Sequence, residues 1–320
     1  MGRTLTPERQ SLKEWAVCLR GGKLTERRIS SLLGQAKTTI HDWLNDENIT
    51  DHANFILDQY GHIVHNSGFV VDNFRDGLPP NPKPQLFVGR AENLHFLNND
   101  SINVIITSPP YNLGQEKWPM GGNGRKPREA GIGYSDHEDD MPEDEYQNWQ
   151  IQCINEFHRI AKNGASLFYN HKVRQRSGEI IHPISWLKRA KWQIRQEVIW
   201  DRLSTHNHTS SLFWPQDERI YWLTKGKPDL PEKSINIPSV WRVFGPIPTT
   251  DHPAPFTKEL PKMILGAIGK PGDIILDPFG GGMTTCRVAS SMGYKSIGVD
   301  IAEDYVKRTA DYFGVSYGRG

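Results

Sequence analysis

An α/β fold on an open sheet, preceded by a small all-helical domain, is the fold class that this 320-residue sequence predicts. Three observations carry the expectation. Asn103-Val104-Ile105-Ile106, apolar and β-branched, runs as a strand straight into Thr107-Ser108-Pro109-Pro110-Tyr111-Asn112. Far downstream, a short strand over 273–276 enters the turn Asp277-Pro278-Phe279-Gly280-Gly281-Gly282-Met283-Thr284-Thr285, and a helix over 286–292 follows. Residues 76–84 hold four prolines in nine positions and form a stiff extended linker between residues 1–75 and the α/β body at 85–320.

In the first part, Thr25 caps a helix whose Ile29, Leu32 and Leu33 share one face, and Gly34 interrupts it. A second short helix from about Lys37 buries Ile40, Trp43 and Leu44. Joined through Gly34-Gln35-Ala36, the two have the form of a helix-turn-helix, in which the second helix enters the major groove of DNA. Its outward residues, Lys37, Thr38, Thr39 and His41, supply a cation for phosphate and hydroxyl or imidazole groups for base edges. A helical hairpin that merely packs on the body is the competing reading.

The body opens with a strand over 85–88 and a helical stretch through Leu94 and Leu97. The prolines after the central strand fix φ and force the chain out of the sheet at its carboxyl end, where ligands bind in open α/β sheets. Strand, glycine-rich turn and helix is the arrangement in which backbone approaches a ligand closely. The turn has neither GxGxxG nor a phosphate-loop lysine. A further strand over 296–299 ends in Asp300, 19 residues after Gly281, where a carboxylate takes both hydroxyls of a ribose. A nucleoside-bearing cofactor without a required pyrophosphate fits these features.

Composition sets outer bounds. Lys+Arg number 38 and Asp+Glu 37, a formal charge of +1, so bulk charge names no partner. The total conceals segregation: eight bases against three acids over 1–41, eight acids and no Lys or Arg over 134–156, and nine bases against three acids over 162–202. Apolar runs fall far short of the roughly 18 residues that span a bilayer, and residues 1–20 lack a signal-peptide pattern. No membrane association and a cytoplasmic location are expected. Cys18, Cys153 and Cys286 are isolated and without CxxC spacing, as expected of reduced thiols outside any metal site.

Thr-Ser-Pro-Pro-Tyr after a strand, together with Asp-Pro-Phe-x-Gly near the C-terminus, resembles the amino-methyltransferases that modify exocyclic amines of DNA bases using S-adenosylmethionine. The motif order resembles their permuted β class, in which the catalytic motif precedes the cofactor strand. The resemblance covers roughly 85–313. It includes Gln85-Leu86-Phe87-Val88-Gly89, Asn163-Gly164-Ala165-Ser166-Leu167-Phe168-Tyr169-Asn170, Glu197-Val198-Ile199-Trp200, Asp217-Glu218-Arg219-Ile220-Tyr221-Trp222 and His252-Pro253-Ala254-Pro255-Phe256. It departs from the family pattern at Met283, where a third glycine is common, and at Arg90, where an acid is common.

The resemblance implies a Rossmann-like methyltransferase sheet with circularly permuted motif order. It implies catalytic residues Ser108, Pro109, Pro110 and Tyr111, cofactor-binding residues Asp277, Phe279, Gly281, Thr284, Asp300 and Phe256, duplex DNA as substrate, and no metal. Ser108 Oγ and the Pro109 carbonyl would accept the two N–H bonds of the target amine, with Tyr111 stacked on an extruded base. A serine at the first motif position favours N4 of cytosine. N6 of adenine, or a DNA-binding regulator with an inactive methyltransferase fold, are the alternatives. The segment 112–133, with six glycines and Arg125 and Lys126 among its bases, is expected to close on DNA. Target reading is expected within 203–250, and the acidic run over 134–156 should face away from DNA. A restriction endonuclease is an implied functional partner, and the oligomeric state stays open.

Overall fold

The computed structural model describes residues 26, 36–44, 82–112, 140–176, 178–203, 213–231, 235, 237–243 and 256–320. The chain forms two compact units, Met1–Gly77 and Leu78–Gly320. In the first, helix α1 (Lys37–Leu44) buries Ile40, leaves Leu44 half-buried and exposes Lys37, Thr38 and His41, with Thr39 half-buried. His41 Nδ1 donates to Glu26 Oε1 at 3.0 Å. The expected helix carrying Thr25, Ile29, Leu32, Leu33 and Gly34 lies outside the described residues, as do the side chain of Trp43 and all of Cys18, Arg125 and Lys126.

In the second unit the elements run β1 (Gln85–Val88), β2 (Ile102–Thr107), α2 (Glu143–Ile160), β3 (Ala161–His171), β4 (Arg174–Arg176), β5 (Glu179–Ile181), α3 (Ile184–Leu187), β6 (Gln193–Asp201) and β7 (Asp217–Thr224). They continue with β8 (Val240–Arg242), α4 (Glu259–Ile268), β9 (Ile274–Asp277), α5 (Thr284–Ser291), β10 (Lys295–Asp300), α6 (Glu303–Phe313) and β11 (Tyr317–Arg319). Nine strands form one sheet in the order β11-β1-β10-β9-β2-β3-β7-β6-β8, and β4 and β5 form a separate hairpin. Strand β7 is antiparallel to β3 and β6, and every other neighbouring pair in the large sheet is parallel. The expected α/β body is thus a mixed sheet.

Side-chain alternation along the strands divides the core between two faces. Ile105, Leu167, Tyr169 and Leu276 point to the face covered by α2, whose Tyr146, Gln150, Cys153, Ile154, Phe157 and Ile160 form one buried stripe. Val104, Ile106, Phe168 and Ile275 point to the other, covered by Leu260, Ile264 and Leu265 of α4 and Val288 and Ala289 of α5. Each large apolar side chain buried this way contributes about 1.5–3 kcal/mol before the entropy of ordering it. Helix α2 carries Glu143, Asp144 and Glu145 in its first turn and His158 and Arg159 in its last, matching its dipole at both ends. No helix among the described residues is long and apolar enough to cross a membrane.

One expectation is corrected. The segment through Leu94 and Leu97 forms turns instead of a helix, because side chains of α2 satisfy its backbone. Glu156 Oε1 accepts the Leu94 N–H at 2.9 Å, while Arg159 donates to the carbonyls of Leu94 at 2.9 Å and Leu97 at 3.1 Å. Two carboxylates of the acidic run meet bases. Glu143 binds Arg174 through both oxygens, at 2.9 and 2.7 Å, and Asp140 pairs with Arg176 at 3.2 Å, so acids and bases from the two segregated stretches neutralise one another.

Candidate active site

The two motifs meet at the middle of the sheet. Strands β2 and β9 are parallel neighbours, with Val104 opposite Ile275 and Ile105 opposite Leu276, although about 170 residues separate them in sequence. From β9 the chain proceeds to β10 on one side, and from β2 to β3 on the other. The order therefore reverses between them, which opens a crevice at their carboxyl ends. Across it, Thr107 Oγ1 donates to Asp277 Oδ1 at 2.9 Å and ties the proline loop to the glycine turn.

The glycine turn is built around two carboxylates. Burial pushes the Asp277 carboxyl up to about 6, against hydrogen bonds from Thr285, Thr107 and the Phe279 amide. At the end of β10, Asp300 is half-buried; its Oδ2 accepts the Gly281 N–H at 2.7 Å and its Oδ1 the Ala302 N–H at 2.8 Å. These amides fix the orientation of a group with about four acceptor sites, which suits it to accept from ribose hydroxyls. Gly281 sits at φ 47° and Met283 at φ 54°, the left-handed region that ordinary side chains rarely adopt.

Met283 nonetheless keeps the turn. Its side chain is fully buried with Leu86, Cys286, Val306 and Ala310, and a Cβ on either Gly280 or Gly298 would overlap its sulfur. The space those glycines leave takes the thioether, so the departure from a third glycine fills core and leaves the turn intact. Phe279 is half-buried, edge-on to Trp149 at 5.8 Å and Phe157 at 6.2 Å. Thr284 opens α5 and is half-buried, while Phe256 packs against the core of the opposite face. Arg90 pairs with Glu92 at 2.5 Å.

The proline loop is held from both faces. Pro109 and Pro110 are buried, and Ser108 and Tyr111 are half-buried. On the α4 face, Ser108 Oγ lies 2.9 Å from Tyr111 Oη, and Tyr111 Oη donates to Glu218 Oε2 at 3.0 Å. Asn170 Nδ2 lies 2.6 Å from Tyr111 Oη, 3.0 Å from Glu218 Oε2 and 3.3 Å from Ser108 Oγ. Glu218 Oε1 receives Arg202 at 2.8 Å and Lys172 at 3.3 Å. Burial alone would raise the Glu218 carboxyl, but Lys172, Arg202 and the hydrogen bonds of Asn170 and Tyr111 hold it below the usual carboxylate range.

On the α2 face, Tyr146 Oη donates to the Pro110 carbonyl at 2.6 Å and lies 2.6 Å from His171 Nε2. Burial drives the His171 pKa down to about 3, so the ring is neutral. Its Nδ1–H donates to the Lys172 carbonyl at 2.7 Å, which leaves Nε2 as an acceptor that shares the one Tyr146 hydroxyl proton with the Pro110 carbonyl. The His171 ring also lies 4.7 Å from that of Tyr111. Beyond Tyr111, Asn112 at φ 54° exchanges two hydrogen bonds with the backbone of Met141, at 2.9 and 2.7 Å, so the residues on either side of 113–139 are clasped together.

The model of the N6/N4 DNA methylases matches residues 102–311, which span both loops and the strands between them.

This chain belongs to the DNA methylase family.

It is a DNA methyltransferase of the N4/N6 amino-methylase type, and S-adenosyl-L-methionine is its cofactor. The methylase is 26% identical over 298 residues to type II methyltransferase M.BglII of Bacillus subtilis, covering 78% of this chain and 76% of that protein. It is also 26% identical to DNA adenine methyltransferase YhdJ of Escherichia coli K12, covering 65% of this chain and 74% of the other. Among solved structures, the cytosine-N4-specific PvuII DNA methyltransferase shares the fold, with a TM-score of 0.57 at 17% identity, covering 74% of this chain and 89% of that one.

The crevice thus brings together Ser108, Pro109, Pro110 and Tyr111 with Asp277 on the neighbouring strand, and Gly281 with Asp300. Lys37, Thr38, Thr39 and His41 belong to the other compact unit. Sequence reading missed the residues that hold the proline loop: Thr107, Tyr146, Asn170, His171, Lys172, Arg202 and Glu218. Their signal is faint. Asn170 and His171 are polar residues ending the apolar run of β3, and Glu218 stands one residue inside β7, at a position whose alternation partners Ile220 and Trp222 are buried.

Proposed function

We propose that this methylase transfers a methyl group to N4 of cytosine in duplex DNA, with Ser108 and the Pro109 carbonyl as the groups that grip the amine. The supporting observation is the Thr107–Asp277 hydrogen bond, which sets the serine loop beside the glycine turn. Asp300, Gly281, Phe279 and Thr284 would hold the cofactor on one side, with Asp277 shaping the turn from beneath and Phe256 covering the other side. S-adenosyl-L-methionine supplies an electrophilic methyl group on a sulfonium.

The amine is a poor nucleophile because its lone pair is delocalised into the ring. Two acceptors on its N–H bonds favour a pyramidal nitrogen with the lone pair directed at the methyl group, which is catalysis by orientation and electrostatics. The side chain of Tyr111 stacks on the extruded base, and its ring is already set against His171. Unstacking a base costs a few kcal/mol, which contacts to the DNA backbone offset. Lys37, Thr38, Thr39 and His41 on α1, Arg125 and Lys126, and a target-reading segment within 203–250 are our assignment for those contacts. The motif order is read as circularly permuted, because the Ser-Pro-Pro-Tyr strand β2 precedes the glycine-turn strand β9 in sequence and adjoins it in the sheet.

Ser108 supports cytosine. The competing product is N6-methyladenine, since one relative of similar identity is an adenine methyltransferase. The test is to incubate the full chain with duplex DNA and labelled S-adenosyl-L-methionine, digest to nucleosides and separate them by mass and retention. Labelled N4-methylcytosine is expected; N6-methyladenine overturns the base assignment, and DNA without label overturns the activity, as an inactive DNA-binding regulator requires.

A further inference from the structure

We propose that Glu218, on a strand outside both sequence motifs, is a positioning residue that fixes the direction of hydrogen bonding through the proline loop, so that Ser108 meets the target amine as an acceptor. This rests on the amine-methylation reading above.

A serine hydroxyl offers one proton and two lone pairs, so it can face a substrate either way. A target –NH2 group needs acceptors, and a Ser108 proton turned towards it would repel it. The surrounding atoms decide which way the proton points. Glu218 is 5% exposed, and its carboxylate is held ionised by Lys172 and Arg202 at 3.3 and 2.8 Å. An ionised carboxylate accepts hydrogen bonds and donates none.

The single Tyr111 hydroxyl proton lies within reach of both Glu218 Oε2 at 3.0 Å and Ser108 Oγ at 2.9 Å. At such similar distances the charged acceptor wins, because charge-assisted hydrogen bonds are about twice as strong as neutral ones. Tyr111 Oη then has lone pairs left for donors, and the nearest are Asn170 Nδ2 at 2.6 Å and the Ser108 hydroxyl. The Ser108 proton is thereby committed to Tyr111, and the Ser108 lone pairs are what the amine meets.

The same carboxylate orients Asn170. Nδ2 faces Glu218 Oε2 at 3.0 Å, and the flipped amide would place Oδ1 against an anion. One carboxylate on β7 therefore sets three hydroxyl and amide orientations contributed by the proline loop and β3. Without it, the Ser108–Tyr111 pair would have two hydrogen-bond directions of similar energy, one of which presents a donor to a donor.

Glu218→Gln tests this, since it keeps the shape while replacing a pure acceptor with an amide that can donate. In the full chain with saturating cofactor and duplex DNA, the single-turnover methylation rate is expected to fall about ten- to a hundredfold, with cofactor affinity unchanged, as for loss of one orienting group. Tyr111→Phe cuts the chain between Ser108 and Glu218 while leaving the charges in place, and guards against a folding defect in the first variant. The double variant should lose no more than the worse single one, because both break the same chain. A wild-type rate in Glu218→Gln, or losses that multiply in the double variant, overturns the inference and leaves the amine-methylation reading standing.

A readout without activity covers failure of that reading. In protein labelled with ¹³Cζ-tyrosine, the Tyr111 resonance, assigned by its absence in Tyr111→Phe, should shift in Glu218→Gln without DNA or cofactor. An unmoved resonance overturns the inference even if the wild-type chain methylates nothing.

Discussion

Asp277 is a buried carboxyl whose ionised form the crevice disfavours. Burial lifts its pKa from 3.8 to about 6, so between those values the folded chain holds a proton that the unfolded chain has released. Folding stability from this group is therefore greatest below pH 4 and falls as pH rises towards 6, by roughly 3 kcal/mol at about 1.4 kcal/mol per pKa unit. Asp277→Asn resembles the protonated form. By calorimetry without cofactor, the stability of this variant relative to wild type should rise between about pH 4 and about pH 6 and level off above. A difference that ignores pH would place the proton elsewhere. Met283 shows the opposite economy: its left-handed backbone is tolerated because the side chain fills space left by Gly280 and Gly298.

At the scale of elements, the end of β3 is the hinge of the site. Successive residues on a strand point to opposite faces, so Asn170 reaches Ser108 and Tyr111 from the α4 face while His171, through Tyr146 of α2, reaches the Pro110 carbonyl from the other. Tyr146→Phe removes one oxygen from this grip. Its single-turnover rate is expected to fall about tenfold with cofactor affinity unchanged, as a small misplacement of reacting groups would cause; an unaltered rate would show that the Pro110 carbonyl needs no such anchor. The strands before the proline loop and the glycine turn were legible because short β-branched runs ended in residues that cannot continue a sheet. Helix α2 was obscured by the acids of its first turn, which read as a charge run while Tyr146, Cys153 and Phe157 marked its buried stripe. The segment through Leu94 and Leu97 misled for the reverse reason: its apolar spacing suited a helix, yet Glu156 and Arg159 offered its backbone better partners. Glu218 stood inside a strand-like segment, and only the burial of its alternation partners Ile220 and Trp222 separated it from an exposed carboxylate.

Across the whole molecule, acidic and basic stretches that are separate in sequence meet in the fold. Glu143 of α2 and Asp140 just before it pair with Arg174 and Arg176 beside the proline loop, so our proposal looks to other bases for the contacts to DNA. If Lys37 meets one phosphate, Lys37→Ala should weaken binding of the full chain to duplexes of any sequence. It should also make the slope of log K against log salt shallower by about 0.9. An unchanged slope in a fluorescence-anisotropy titration would remove α1 from the DNA interface. We propose that the serine loop, tied to the glycine turn through Thr107 and Asp277, is where an amine is methylated. The most direct test sets wild type beside Ser108→Ala in single-turnover methylation of duplex DNA, with cofactor affinity measured on both by calorimetry. Unchanged affinity with a rate lowered about a hundredfold or more is expected for loss of a group that acts on the reacting amine; Ser108→Ala turning over N4-methylcytosine at the wild-type rate would contradict it.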